Sequence, residues 1–149
     1  MSIQRAPNEF CLSDLYIGQE IEFPHEDEGM PLTQEMQHCF TSLSGDTNPI
    51  HIDKAFALSN GFSGILCYGM LTASFYSTLV GVYLPGKYAI FQEADISFSK
   101  PVYIGDKLRI KGKITQIHES VKRIIIKAEI RNQHNERVSK AILAVGLTE

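Results

Sequence analysis

The sequence has no tryptophan, and its three cysteines, Cys11, Cys39 and Cys67, are far apart with no CxxC spacing. An odd, scattered set supports neither a disulfide framework nor a zinc site, so buried small hydrophobes in a reducing compartment are expected. Long apolar runs are also missing. None approaches the roughly 18 residues that cross a membrane, and the amino terminus MSIQRAPNEF has no signal-like apolar stretch. A cytoplasmic protein is the expectation. Nor is there an excess of basic charge, since 14 Lys and Arg face 17 Asp and Glu for a formal charge of −3. That balance argues against a general nucleic-acid binder, although a local basic patch would suffice for a polyanionic ligand. His25, His38, His118 and His134 show no HxxxH spacing, and no glycine-rich phosphate loop occurs, so neither a metal nor a nucleotide cofactor is expected. Ser63 lies between Gly61 and Gly64 without a GxSxG arrangement, which makes a serine hydrolase a poor reading.

What is present is an ordinary globular composition, 44% hydrophobic and 21% charged over 149 residues. That length suits one domain over 1–149 with a substantial core. Residues 15–23 give a weak strand signal, and the proline-bounded 24–31 read as loop. Thr33 is placed as an N-cap with Glu35 in the first turn. Met36, Cys39, Phe40 and Leu43 follow at helical spacing, which predicts an amphipathic helix ending near Gly45. The segment Gly45-Asp46-Thr47-Asn48-Pro49 cannot continue it. A short helix follows from Asp53 to about Ser59, stopped by Asn60-Gly61. Residues 66–83 carry no charge and are apolar nearly all round, which predicts a helix buried on most sides. Beyond Leu84-Pro85-Gly86, alternating patterns over 88–99, 107–118, 121–131 and 138–145 read as antiparallel strands. The expected class is α+β, one buried helix wrapped by a curved sheet. Exposed sheet edges call for pairing with a second copy, so a homodimer is expected.

Three features could carry chemistry. Asp46 and His51, five residues apart in a Pro-kinked loop, would suit proton transfer to and from one water. The plainer alternative makes Asp46 and Asn48 turn formers and His51 a surface residue. At Tyr68-Gly69-Met70 the buried helix begins, and a backbone amide there could stabilise a developing oxyanion. Close helix–sheet packing at Gly69 is the alternative. Lys107, Arg109, Lys111, Lys113, Lys122 and Arg123 could hold the phosphates of coenzyme A, or form a solvated outer strand face, which is the simpler reading. Lys87 is similarly open.

Ser44-Gly45-Asp46-Thr47-Asn48-Pro49-Ile50-His51-Ile52-Asp53 resembles the SGDxNPxHxD signature of the MaoC-like dehydratase, or (R)-specific enoyl-CoA hydratase, family. The likeness continues through Ala55, Phe56, Ala57 and Gly64 to Gly69-Met70-Leu71-Thr72-Ala73-Ser74, Leu84-Pro85-Gly86 and the break at Lys100–Asp106. It covers roughly residues 14–147. The resemblance implies a hot-dog fold, a homodimer, and hydration of trans-2-enoyl thioesters to (R)-3-hydroxyacyl products, or the reverse dehydration. It assigns the catalytic pair to Asp46 and His51 and the oxyanion amide to Gly69. Ser44 and Asn48 become shapers of the catalytic loop, and Ser77 a position along the acyl pocket. No metal or redox cofactor is implied, and either coenzyme A or acyl carrier protein would serve as thioester carrier. Activity is expected to fall in acid as the pair protonates. The family commonly has His where Tyr68 stands, so Tyr68 is grouped with the substrate-binding positions and bears on pocket shape or loop anchoring. Alternatives are a hot-dog acyl-thioesterase and a non-catalytic acyl-thioester binding subunit.

Overall fold

A computed structural model describes residues 5–25 and 29–149. Of the expected loop at 24–31, residues 26–28 lie outside the described residues, and Met30–Pro31 (β2) pairs briefly with the strand at Leu108 and Lys107. The weak strand signal resolves into β1, Glu20–Phe23, preceded by turn structure.

Helix α1, Gln34–Ser44, begins and ends where its caps dictate. The Thr33 hydroxyl accepts from the Met36 N–H at 3.2 Å, and Gly45 closes the helix at φ 71°, a left-handed position glycine occupies without steric cost. Its facing follows expectation at Met36, which packs against the core, and at Phe40, which lies against Tyr68, and differs at the rest. Leu43 is 84% exposed and Cys39 is exposed, whereas Gln37 is 1% exposed. The helix turns a polar residue inward.

Helix α2 spans Lys54–Ser59, capped by Asp53, whose carboxylate accepts from the Phe56 N–H at 3.1 Å. Helix α3, Gly69–Thr78, runs on into a wider π-helical segment, Leu79–Tyr83. Residues 66–68 stay outside the helix, Leu66 bridging to Tyr103 and Tyr68 forming the N-cap. Strands β3 (Ala89–Phe98), β4 (Lys107–His118), β5 (Arg123–Arg131) and β6 (Arg137–Leu147) complete an antiparallel sheet in the order β1-β4-β5-β6-β3.

Alternation decides which face meets the helix. On β4, Leu108, Ile110 and Ile114 are fully buried, while Arg109, Lys111 and Lys113 point the other way. The inward set joins Tyr76, Leu79 and Val80 of the helical segment, with Ile124, Ile126, Leu143 and Val145, in one hydrophobic core. This is the hot-dog arrangement, a sheet around a central helix. Helix and sheet approach closely at Gly112, where an added Cβ would stand 2.7 Å from one Leu79 methyl and 3.1 Å from Ile126 Cγ2.

Burial of α3 is less complete than its sequence suggests. Met70 is 60% exposed, and Ser74 and Ser77 face outward on the same chain. Strand β3 is the sheet edge and displays Ile90, Phe91 and Phe98 at 50%, 38% and 49% exposure. No helix of the described residues is long and apolar enough to cross a membrane.

Because methyl groups of Leu79 and Ile126 occupy the space, Gly112→Ala is expected to destabilise the fold by about 1–3 kcal/mol. Urea unfolding measures this, and an unchanged midpoint would show that the helix and strand are not in such close contact.

Candidate active site

The loop after α1 is built from side chains that accept hydrogen bonds from backbone amides just ahead of them. The Ser44 hydroxyl accepts from the Asp46 N–H at 3.2 Å and donates to the Phe40 carbonyl at 2.8 Å. Asp46 Oδ1 accepts from the Asn48 N–H at 3.0 Å, and Asn48 Oδ1 from the Ile50 N–H at 3.2 Å. Such Asx turns satisfy amides that no helix can reach and stiffen the chain locally. Pro49 then opens a single 3-10 turn that ends on His51. The turn-forming reading of Asp46 and Asn48 therefore holds, and it delivers His51 to a defined place.

His51 Nδ1 lies 2.9 Å from the Leu66 carbonyl oxygen. A carbonyl only accepts, so Nδ1 carries the proton, and in the neutral ring Nε2 keeps its lone pair. Leu66 also accepts from the Gln37 amide at 2.9 Å, and its own N–H donates to the Ile50 carbonyl at 3.2 Å.

Helix α3 begins at Gly69, and its N-cap Tyr68 makes no side-chain cap. The first N–H groups of a helix have no partner within it and carry partial positive charge. Gly69 also satisfies the packing alternative, because an added Cβ would lie 3.2 Å from the Phe98 ring. His51 and Gly69 line one cavity of about 350 Å³, with Leu66, Thr72, Phe98, Lys100 and Val102 among its other walls.

Asp46 is exposed and outside the cavity lining. One side chain connects it to the rest. The Tyr68 hydroxyl donates to the Asp46 carbonyl at 2.5 Å, and the Tyr68 ring centroid is 4.1 Å from that of His51. Both members of the expected pair thus touch a single residue, which is itself 2% exposed.

Residues 16–138 match the MaoC like domain. The chain belongs to the MaoC-like family. It is 41% identical over 81 residues to an (R)-specific enoyl-CoA hydratase from Aeromonas caviae, a stretch covering 54% of this chain and 60% of that protein. A 3-hydroxybutyryl-CoA dehydratase from Methylorubrum extorquens is 33% identical over 78 residues, or 52% of this chain and 50% of its own length. The matched stretches thus span only about half to three-fifths of these curated relatives. Among solved structures, an (R)-hydratase from A. caviae involved in PHA biosynthesis superposes with a TM-score of 0.81 at 30% identity. That superposition covers 89% of this chain and 97% of the other.

In this MaoC-like chain the remaining expected site positions fall into two groups. Ser44 and Asn48 shape the loop through the contacts above and do not line the cavity. Tyr68 lies behind the loop, committed to Asp46 and Thr41, and is not in the cavity wall as a substrate contact would be. Ser77 is exposed on α3 and likewise outside the lining of the single chain.

The basic residues of β4 and β5 lie on the outer sheet face, away from α3. Arg109 pairs with Glu22 at 3.4 Å, Lys111 with Glu20 at 2.7 Å and Arg123 with Glu93 at 2.8 Å. The Arg131 guanidinium beside Glu129 holds that carboxyl below its ordinary range. These are the contacts of a solvated outer face, the simpler of the two readings of this group. The cation on the cavity wall is instead Lys100, ion-paired with Glu136.

Cys67 also lines the cavity, yet burial, with Asp106 adding to it, pushes its thiol up to about 12. The thiolate is the reactive form. At pH 8 a maleimide is expected to modify exposed Cys39 and to spare Cys67 until the protein unfolds. Mass mapping of the labelled peptides checks this, and prompt native labelling of Cys67 would contradict it.

Proposed function

We propose that this MaoC-like protein adds water to trans-2-enoyl thioesters, giving (R)-3-hydroxyacyl products, and catalyses the reverse dehydration. The carrying observation is that His51, with Nδ1 committed to a carbonyl so that Nε2 keeps its lone pair, shares one cavity with the amide end of α3 at Gly69. Asp46 is joined to both through Tyr68.

The chemistry follows from these placements. A conjugated thioester is attacked at C3 only if its carbonyl oxygen accepts the displaced electrons. The Gly69 N–H supplies a donor for that oxygen, a contact whose loss typically costs about 3 kcal/mol of transition-state stabilisation. Asp46 and His51 hold the water, whose hydroxyl adds to C3. Its proton passes through this pair and returns to C2 as the enolate collapses. The double bond becomes single, and no electrons are exchanged with a further reagent. The same groups, run backwards, remove the 3-hydroxyl as water.

Coenzyme A is the favoured carrier, in line with the named activities of the A. caviae and M. extorquens relatives. An acyl carrier protein remains the alternative, as for the Arabidopsis thaliana relative called 3-hydroxyacyl-[acyl-carrier-protein] dehydratase. The protein works as a homodimer in a cytoplasmic setting. A ten-residue edge strand with exposed Ile90, Phe91 and Phe98, beside an α3 flank displaying Met70, needs a cover, and a second copy supplies one.

With crotonyl-CoA, the wild type is expected to bleach the conjugated enoyl absorbance. Asp46→Asn and His51→Ala should each lower kcat by about 10²–10⁴-fold. Full activity in both variants would remove the mechanism, and thiol release from a saturated acyl-CoA would indicate a thioesterase instead.

Light scattering is expected to give twice the chain mass. Ile90→Asp, which places a charge on the β3 edge, should shift the protein toward a single chain. A wild type of single-chain mass would contradict the dimer.

A further inference from the structure

Helix α1 turns polar as well as apolar side chains inward, since Met36 packs on the core and Phe40 lies against Tyr68. Its exposed side carries Leu43, while Gln37 and Thr41, spaced i and i+4 on one face, point inward. A buried amide is costly unless every polar atom finds a partner, and here the partners of the Gln37 amide all belong to the active site. Gln37 Nε2 donates to the His51 carbonyl at 3.1 Å and the Leu66 carbonyl at 2.9 Å, and Oε1 accepts from the Tyr68 N–H at 3.4 Å. Two carbonyls on one side and an N–H on the other fix the orientation of the amide.

The hydroxyls follow the same accounting. The Tyr68 phenol has one proton, and the Asp46 carbonyl can only accept, so that proton is spent on Asp46. The Thr41 hydroxyl likewise has one proton and two neighbours, the Tyr68 oxygen at 2.8 Å and the Gln37 carbonyl at 3.0 Å, so it sits between its own helix and Tyr68. The Gln37 carbonyl, Thr41, Tyr68 and the Asp46 carbonyl thus form one chain of polar contacts that ties α1 to the loop. The Tyr68 ring meanwhile lies against His51, and its backbone caps the helix that begins at Gly69.

From this geometry we infer that Tyr68, with its hydroxyl seated between Thr41 and the Asp46 carbonyl, is a positioning residue that sets the Asp46 loop and the His51 ring against the Gly69 amide. It touches no substrate atom, since it lies behind the cavity wall. Its action is to hold three separately folded pieces in one register, which matters because small misplacements of reacting groups cost rate steeply. The inference rests on the hydratase reading, and one of the readouts below is independent of it.

The test compares the full-length wild type with Tyr68→Phe, Thr41→Val and the double variant, each checked for an unchanged melting curve. Phe keeps the ring against His51 and removes only the hydroxyl. In crotonyl-CoA hydration, Tyr68→Phe is expected to lower kcat about tenfold and Thr41→Val about threefold, with KM within about twofold. The double variant should be no worse than Tyr68→Phe alone, because Thr41 acts through the missing hydroxyl. Multiplying losses, a loss confined to KM, or a fully active Tyr68→Phe would overturn the inference. The second readout is relaxation dispersion at the backbone amides of 45–51, which should show new exchange in Tyr68→Phe and no further change in the double variant. Unchanged amides would overturn the clamp whatever the kinetics. If the wild type hydrates no thioester, the hydratase reading fails by itself, and the loop amides decide whether Tyr68 anchors the loop. Should Tyr68→Phe fold poorly, Thr41→Val alone carries both readouts.

Discussion

The Leu66 carbonyl is the point on which the site turns. It accepts from His51 Nδ1 and from Gln37 Nε2, both at 2.9 Å. The residue after it is pinned by the Cys67 N–H on the Val102 carbonyl at 2.7 Å. One oxygen therefore fixes the tautomer of the histidine, anchors α1, and sits just ahead of the helix whose amides face the cavity. The supports of this oxygen come from three stretches far apart in sequence. No local change in the loop can move His51 without disturbing α1 or the entry to α3.

Around that point the fold divides labour between its two sheet faces. The inner face is apolar and packs α3 closely, with Gly112 and Gly69 as the places where a side chain would be in the way. One polar pair enters the core satisfied, the Tyr76 hydroxyl donating to Ser139 at 2.9 Å, whereas the buried Thr72 hydroxyl on the cavity wall has no partner among the described residues. The outer face carries exposed ion pairs such as Lys111–Glu20, which add little stability in water. They keep an otherwise apolar sheet dispersed, while β3 leaves one edge open. The proposed dimer and the proposed chemistry meet there, because Phe98 belongs both to that edge strand and to the cavity wall.

Much of this was legible in the sequence. Strand alternation placed β4 and β5 and, for most of its length, β6. Thr33, Gly45 and Asp53 marked helix ends through capping chemistry that is purely local. The Asp46–His51 segment was legible because turn residues and a proline at fixed offsets permit few conformations. The facing of α1 was legible only in part, at Met36 and Phe40. Hydrophobic spacing of Met36, Cys39, Phe40 and Leu43 pointed to an apolar inward stripe, but the acceptors that draw Gln37 inward, at His51 and Leu66, lie 14 and 29 residues away. The role of Tyr68 was hidden for the same reason. Lys100 on the cavity wall also follows from tertiary placement, which periodicity does not encode. The openness of α3 was missed because a charge-free helix reads as buried whether its last neighbour is the same chain or a second copy.

The central claim is that the amide end of α3 polarises the thioester carbonyl at the moment Asp46 and His51 deliver water. The most direct measurement is isotope-edited infrared difference spectroscopy of crotonyl-CoA carrying carbon-13 at C1, bound to the slow His51→Ala variant. The account predicts that the carbonyl stretch moves to lower frequency on binding, as hydrogen bonding from Gly69 weakens the C=O bond. A bound substrate whose carbonyl absorbs where it does in water, or at higher frequency, would contradict it.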